Sequence, residues 1–330
     1  MLYLFSIPDG GRMRLINRAL LIAMDQHPNW FYHDFKIDVA FGCPPNCIWN
    51  GNRLDLGTQF EEDDFNELIG FYKAFGVDYR LNFTNSLLKA EHLADDYANK
   101  MTLLAEKAGC RVTVNSKLMY EYIRKKYQGL KISWSTSADY GKSIVEKIKK
   151  INELSQSEIV VLPYDLNNKE ELRHLVHPEN LEILVCETCI DNCPMRQQHN
   201  ILTNEAILGD KSVVKNHDQI GCLLGDSRDD TVRRLHFVGR QLLKVYQSIK
   251  INRFKISGRD NVEQPLAAYS YYFVIEEARQ KFLDFIQSIY REIMIARGVF
   301  REGVYYSSFY DEDRYGEALN YLYFNGGDVR

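Results

Sequence analysis

The sequence has 330 residues, 45% of them hydrophobic, and carries 41 Lys and Arg against 45 Asp and Glu. The resulting formal charge of −4 provides no overall attraction to nucleic acid or to an anionic membrane, which argues against extended nucleic-acid binding. No apolar stretch approaches the roughly 20 residues of a membrane-spanning helix. The apolar opening Met1–Ile7 lacks the basic segment of a secretion signal. We therefore expect a cytoplasmic protein without a membrane segment.

Short β-type runs alternate with helical segments along most of the chain, which is the pattern of a parallel α/β sheet. There are eight such runs, the number of strands in a (β/α)8 barrel. We predict a single (β/α)8 TIM-like barrel domain over residues 1–330. The predicted strands are Leu2–Ser6, Lys36–Phe41, Asp78–Asn82, Cys110–Asn115, Lys131–Ser135, Ile159–Leu162, Leu181–Cys186 and Arg253–Ile256.

The predicted helices follow from apolar spacing and from end signals. Ser116 is a candidate N-cap for a helix that runs to Tyr127. A helix is predicted from about Val232 to Ile249 and a long one near Tyr271–Ala296. Basic helix faces, such as the one that carries Lys147, are interpreted as solvated outer surface.

Two segments do not fit a simple barrel repeat. Residues 194–230 form a connection after the seventh strand that is too long and polar for a plain loop. We predict that it is a lid over the active site or a small insertion. Residues 298–330 are predicted to form a C-terminal helical extension that is rich in tyrosine.

In a (β/α)8 barrel, functional groups come from the carboxyl ends of the strands, where variable loops stand on a rigid core. Polar residues at these ends are candidates for substrate binding, although barrel-mouth hydrogen bonding alone also explains them. A cation pair after the eighth strand suits an anionic substrate group, and an ion pair with Asp165 or Asp260 is the alternative. The candidates are Asn82, Asn85, Asn115, Ser135, Lys255 and Arg259.

Three residues are candidates for catalysis. Asp165 follows the sixth strand, and His199 and His217 lie in the long connection after the seventh. The histidines are candidates for metal ligands or proton shuttles, and a plain surface position is the simpler interpretation. The sequence alone leaves these alternatives open.

Six of the seven cysteines follow predicted strands on the carboxyl side or lie in the long connection, whereas Cys110 begins a strand at the opposite end. Thiolates that converge suit zinc, copper(I) or an iron–sulfur cluster. An ordinary buried cysteine is the alternative for Cys186, the last residue of its predicted strand. The predicted ligands are Cys189, Cys193 and Cys222 with Cys186 as the fourth, and Cys43 or Cys47 as the substitute.

The order of several short motifs resembles the collagenase-like peptidase superfamily, family thirty-two of the unknown-mechanism class. The motifs are Leu-Phe-Ser-Ile-Pro-Asp-Gly-Gly at the start, Ile132–Ala138, Val160–Pro163, the cysteine-bearing seventh strand, and Phe254–Arg259. The resemblance places Cys189 and Cys193 on the family's paired cysteines, and Lys255 and Arg259 on its Lys-Ile-x-Gly-Arg motif. The cysteines here are more closely spaced than in that pattern, so the chain looks like a divergent member.

The resemblance implies a barrel that holds a [4Fe–4S] cluster on four cysteines and supports dioxygen-independent hydroxylation. It also implies a small or nucleoside-like substrate and, in some members, a related barrel subunit as heterodimer partner. We therefore predict an iron–sulfur-dependent oxidoreductase, or a subunit of one, that acts at the barrel mouth. The alternative is a zinc-dependent, peptidase-like hydrolase or a zinc-stabilised binding barrel, in which His199 or His217 joins the thiolates.

Overall fold

A computed structural model shows that the chain forms a closed barrel of parallel strands. Within the described residues, eight strands follow one another around the barrel in chain order, and β8 pairs back with β1. The residues that the structure describes are 2–51, 57–136, 142–167, 170–187, 193–209, 238–257, 262–298, 315–316 and 319. The strands are β1 (Tyr3–Pro8), β2 (Phe35–Gly42), β3 (Asp78–Phe83), β4 (Arg111–Val114), β5 (Lys131–Ser135), β6 (Ile159–Val161), β7 (Leu181–Leu184) and β8 (Arg253–Lys255).

Helices cover the outer face of the barrel, so the predicted (β/α)8 fold is confirmed. The helices are α1 (Met13–Gln26), α2 (Glu62–Ala74), α3 (Asp96–Lys107), α4 (Lys117–Lys126), α5 (Ile144–Leu154), α6 (Arg196–Ile207), α7 (Leu242–Ser248), α8 (Glu263–Tyr272) and α9 (Arg279–Ala296). The predicted cap of α4 is also confirmed, because the Ser116 hydroxyl accepts a hydrogen bond from the Met119 N–H.

Two helix predictions were wrong in their extent. The helix predicted from Val232 begins, within its described part, only at Leu242, because the preceding Val238 N–H donates to the Val185 carbonyl beside the barrel. The long helix predicted near Tyr271–Ala296 is broken into α8 and α9. Phe273 ends α8, where its ring stacks on Phe35 with centroids 4.5 Å apart.

The amino end of the bore is closed by charged side chains. The Asp38 carboxylate lies 3.0 Å from Arg111 Nη1 and 3.3 Å from Arg253 Nη1, and Asp78 lies 2.6 Å from Arg111 Nη2. These residues come from four strands, so their ion pairs tie that end of the barrel together. Cys110 lies at this end, directly before β4. No described helix is both long and apolar enough to span a bilayer.

Candidate active site at the carboxyl mouth of the barrel

The interior of this barrel is polar where barrels usually carry branched apolar side chains. Side chains alternate between the two faces of a strand. On β4 and β5, Val112, Val114 and Trp134 belong to the apolar core, and Trp134 stacks on Tyr120 of α4 at 4.9 Å between centroids. The alternate residues Thr113 and Ser133 therefore face the bore.

A buried ion pair crosses the bore. Arg80 Nη2 on β3 donates to both carboxylate oxygens of Glu182 on β7, at 2.8 and 3.1 Å. The Ser6 hydroxyl of β1 also donates to Glu182. Because β3 and β7 are four places apart in an eight-strand barrel, the pair spans the bore from one side to the other. We call it the Arg80–Glu182 bridge, and it forms a floor beneath the carboxyl mouth.

A second cation, Lys255 at the end of β8, lies close to this floor. Its Nζ is 3.9 Å from the centroid of the Phe41 ring, and the Arg80 guanidinium carbon is 5.8 Å from the same centroid. Burial raises the pKa of Glu182, but the charges of Arg80 and Lys255 and the hydrogen bonds from Ser6 and Arg80 outweigh it and lower that pKa overall. Glu182 is therefore ionised at neutral pH.

The lowered pKa of Glu182 predicts a loss of stability in acid. A carboxyl group with a lowered folded-state pKa contributes stability that is fully present above its unfolded pKa, here 4.5, and lost as pH falls through the folded value. We expect the free energy of unfolding of the wild-type chain to fall below pH 4.5 more steeply than that of Glu182→Gln. Urea unfolding across the acid range measures this, and parallel curves would contradict it.

Asn82, Asn115 and Ser135 lie at the mouth, on or directly after β3, β4 and β5. Asn115 Nδ2 donates to the Thr84 carbonyl at 2.6 Å. The side-chain amide oxygens of both asparagines, Asn82 Oδ1 and Asn115 Oδ1, are buried without a hydrogen-bond partner among the described residues. Asn82 and Asn115 therefore have both the position and the unused acceptor oxygen that a binding surface needs.

Asn85 is instead engaged in holding loops together. Its Nδ2 donates to the Ile48 carbonyl at 3.0 Å and, at 3.5 Å, to the Asn204 carbonyl, and its Oδ1 accepts from the Leu87 N–H at 3.0 Å. Both ends of the amide are thus used within the protein. Asn85 therefore links the loops beyond β2 and β3 to α6.

Asp165 forms an ion pair with Lys147 of α5, and not with Lys255. Lys147 is buried, so the interpretation of its helix face as solvated surface was wrong at this position, although its neighbour Lys149 is exposed. The periodic pattern could not show that a carboxylate after β6 would meet the lysine. Asp165 Oδ1 has no hydrogen-bond partner within the described part of the chain.

Helix α6, which opens the long connection, packs on loops at the mouth. Asn204 Nδ2 donates to the Ser86 hydroxyl at 3.1 Å beyond β3. At the other end of the helix, Arg196 lies 3.5 Å from Glu187 and 4.2 Å from the centroid of Tyr164, beyond β7 and β6. The helix therefore bridges two sides of the mouth. It also carries His199.

Several predicted site residues lie outside the described part of the chain. They are Cys189, Cys222, His217 and Arg259. Among the described residues, no three His, Cys, Asp or Glu side chains come together in a way that would hold a metal. The predicted ligand set is therefore neither assembled nor excluded by the described geometry.

The described cysteines differ in their surroundings. Cys186 lies just beyond β7 and is buried, with its sulfur 4.0 Å from the Ser257 carbonyl. Burial raises the pKa of its thiol to about 12. Cys43 and Cys47 are also buried, whereas Cys193, just before α6, is half-buried. Burial therefore favours the protonated thiol of Cys186 as long as no metal is bound, because a metal ion deprotonates the thiol that it binds.

Thiol labelling tests the burial of Cys186 and Cys110. Burial raises the pKa of both Cys186 and Cys110 to about 12, so neither thiol is a nucleophile near pH 8. We expect iodoacetamide to leave both unmodified in the native protein and to modify both after unfolding in urea, as read by peptide mass spectrometry. Labelling of native Cys186 at the unfolded rate would contradict the buried position.

Sequence reasoning missed the Arg80–Glu182 bridge. A signal for it exists, because Arg80 lies third in Asp-Tyr-Arg-Leu-Asn-Phe and Glu182 second in Leu-Glu-Ile-Leu, both in strands that are otherwise largely apolar. Charged residues are almost never fully buried unless they are paired. Two opposite charges in such strands therefore indicate a pair inside the barrel.

Asp9, directly after β1, is a second buried carboxylate at the carboxyl end of the barrel. It accepts hydrogen bonds from the hydroxyls of Tyr72 at 2.7 Å and Tyr79 at 2.8 Å, and it lies 3.4 Å from Arg14 Nε. Tyr72 also meets Asn17 of α1. These contacts link α1 and α2 to the barrel and give Asp9 a structural role.

Comparison with known proteins finds solved structures of low similarity. No family model matches the sequence, and the curated proteins contain no match. Among solved structures, the U32 peptidase Mk0906 is similar at 16% identity and a TM-score of 0.47, over 79% of this chain and 94% of that one. A GH113 β-1,4-mannanase is similar at 10% identity and a TM-score of 0.37, over 87% and 98%. Such values carry no conclusion about activity.

Proposed function

We propose that this chain is a barrel enzyme that binds a small polar substrate above the Arg80–Glu182 bridge, with an iron–sulfur cluster at the cysteine-rich mouth. The observation that carries the proposal is the group of three charges, on Arg80, Glu182 and Lys255, inside the bore. Buried charges often stabilise a fold less than apolar side chains of the same volume would. Their position at the carboxyl mouth, where barrel enzymes place their active sites, supports a role in binding and catalysis.

Lys255 is the proposed contact for an acidic group of the substrate. It ends β8 beside the Phe41 ring, and a buried ammonium attracts an anion far more strongly than an exposed one does. Arg259, four residues later, is the proposed second cation. Asn82, Asn115 and Ser135 supply the facing polar groups.

The proposed cluster ligands are Cys189, Cys193 and Cys222, with Cys186 as the fourth and Cys43 or Cys47 as the substitute. Cys186 lies just beyond β7, and Cys43 and Cys47 lie beyond β2. Half-buried Cys193 stands at the start of α6, whose other contacts lie across the mouth. When bound, such a cluster would supply electron transfer to or from the substrate.

Metal analysis tests the cofactor. We expect protein purified without oxygen to contain about four irons and as many acid-labile sulfides per chain, with a broad visible absorption. Cys193→Ser and Cys186→Ser should each lose most of the iron, and loss in Cys43→Ser or Cys47→Ser with full iron in Cys186→Ser would identify the substitute as the fourth ligand. Cys110→Ser is the matched control, since Cys110 lies at the opposite end of the barrel.

A different metal content would contradict the proposed iron–sulfur cluster. Stoichiometric zinc without sulfide would favour the zinc-dependent hydrolase or the zinc-stabilised binding barrel. Full iron in Cys193→Ser would show that the ligand set is wrong. For the substrate, Lys255→Met should abolish the binding of small carboxylates, and unchanged binding would remove Lys255 from the site.

A further inference from the structure

Three side chains on neighbouring strands hold polar atoms that no described residue satisfies. They are Asn82 on β3, Thr113 on β4 and Asn115 directly after β4, and the atoms are Oδ1, Oγ1 and Oδ1. Asn82 and Thr113 are partners in the ladder, and Asn115 follows two residues later, where alternation returns the side chain to the same face. We call these three residues the polar wall.

Toward the amino end of β3, the polar wall lies next to the Arg80–Glu182 bridge. Arg80 lies two residues before Asn82, and although its Nη2 joins the bridge, its Nε–H is also without a partner among the described residues. Thr113 is 1% exposed and Asn115 5% exposed, so bulk water does not satisfy them. A buried polar group without a hydrogen-bond partner lowers the stability of the fold. Four such groups side by side therefore indicate a bound molecule or ordered water.

The chemistry of the wall selects among possible ligands. Asn115 donates through Nδ2 to the Thr84 carbonyl, which fixes its Oδ1 as an acceptor that needs a donor. The Nε–H of Arg80 needs an acceptor, and the Thr113 hydroxyl can serve either way. A carboxylate would repel the amide oxygens, and an aliphatic chain would satisfy none of these atoms. A row of ligand hydroxyls, each both donor and acceptor, satisfies all of them.

From this pattern we infer that the bore binds a polyhydroxylated small molecule, with its hydroxyls on the polar wall and on Arg80 Nε. The inference rests on the proposed function in one respect, since it places an acidic group of the same molecule on Lys255. The wall lies on β3 and β4 and Lys255 on β8, which is opposite β4 in the barrel. One extended molecule with an acidic end can therefore contact both sides of the bore.

Two six-carbon probes test the inference on the full chain, by calorimetry or by ligand-observed NMR. Gluconate carries a carboxylate and a row of hydroxyls, and hexanoate carries the carboxylate alone. We expect gluconate to bind at least about 10-fold more tightly than hexanoate. Thr113→Val, which keeps the shape but removes the hydroxyl, should weaken gluconate about five- to ten-fold and leave hexanoate unchanged.

A matched control comes from a second buried threonine. The Thr102 hydroxyl donates to the Ala98 carbonyl within α3 at 2.6 Å, away from the bore. Thr102→Val should therefore leave gluconate binding unchanged. If Thr113→Val does not fold, Asn82→Ala provides the same comparison at a half-buried position of the wall.

The outcomes separate this inference from the proposed function. Equal affinities for gluconate and hexanoate, both lost in Lys255→Met, would overturn the polyhydroxyl inference and keep the acidic-substrate site. A high-resolution structure in gluconate that shows only ordered water on the wall would also overturn the inference. Binding of neither probe would overturn both.

Discussion

Replacing Glu182 with Leu is expected to lower the free energy of unfolding by about 3–5 kcal/mol, since removal of one partner strands a buried charge. The loss of stability is increased in this bore, because Glu182→Leu leaves the two cations Arg80 and Lys255 without the carboxylate that interacts with both. Replacing Arg80 with Leu should cost less, since Glu182 keeps the attraction of Lys255. Urea unfolding followed by circular dichroism measures both.

A double variant and a surface pair serve as controls. Arg80→Leu combined with Glu182→Leu should recover a large part of the loss, because two apolar side chains replace a buried pair without stranding a charge. Arg18 and Glu67 form an ion pair at 2.7 Å on the exterior, and Glu67→Gln should cost less than about 1 kcal/mol. If Glu182→Leu costs no more than Glu67→Gln, the bridge is not a buried, dry ion pair.

The strands were accessible to sequence reasoning because each is a local pattern. Lys131–Ser135 was predicted to the residue, and the observed β1 begins one residue later and ends two residues later than the predicted Leu2–Ser6. Short apolar runs between helical segments mark a parallel strand without any knowledge of its partners. The placement of Cys43 and Cys47 after β2, and of Cys186 and Cys193 after β7, followed from the same local signal.

The polar interior was not accessible, because it depends on closure of the barrel. Arg80 and Glu182 are 102 residues apart in sequence, and only the strand order brings them opposite each other. The helix predicted near Tyr271–Ala296 failed for a similar reason. Apolar spacing continues through Phe273, whereas the break there coincides with backbone hydrogen bonds to a distant segment. The Tyr32 N–H donates to the Phe273 carbonyl, and the Ile275 N–H donates to the Trp30 carbonyl. Burial of Lys147 also depends on a partner, Asp165, from another element.

A change at Gly51 is expected to have the second large effect on stability. A Cβ added there would lie 2.1 Å from the carbonyl carbon and oxygen of Thr84 and 2.4 Å from the Asn85 nitrogen. These are backbone atoms just beyond β3, and the Asn85 N–H is also bonded to the Trp49 carbonyl at 3.2 Å. Neither side can yield by a rotamer change, so Gly51→Ala should lower the free energy of unfolding by about 3 kcal/mol.

The matched control is Gly70→Ala on the exposed face of α2, where an added Cβ meets nothing within 4 Å. Alanine is more favourable than glycine within a helix, so this variant should raise the free energy of unfolding by about 0.5–1 kcal/mol.

The Gly51→Ala substitution should also affect binding in the bore. It displaces Thr84, whose carbonyl accepts the hydrogen bond that orients Asn115 in the polar wall. Gluconate binding should therefore weaken in Gly51→Ala and not in Gly70→Ala. Equal unfolding energies and equal affinities in the two variants would show that the loop at Gly51 does not press on the end of β3.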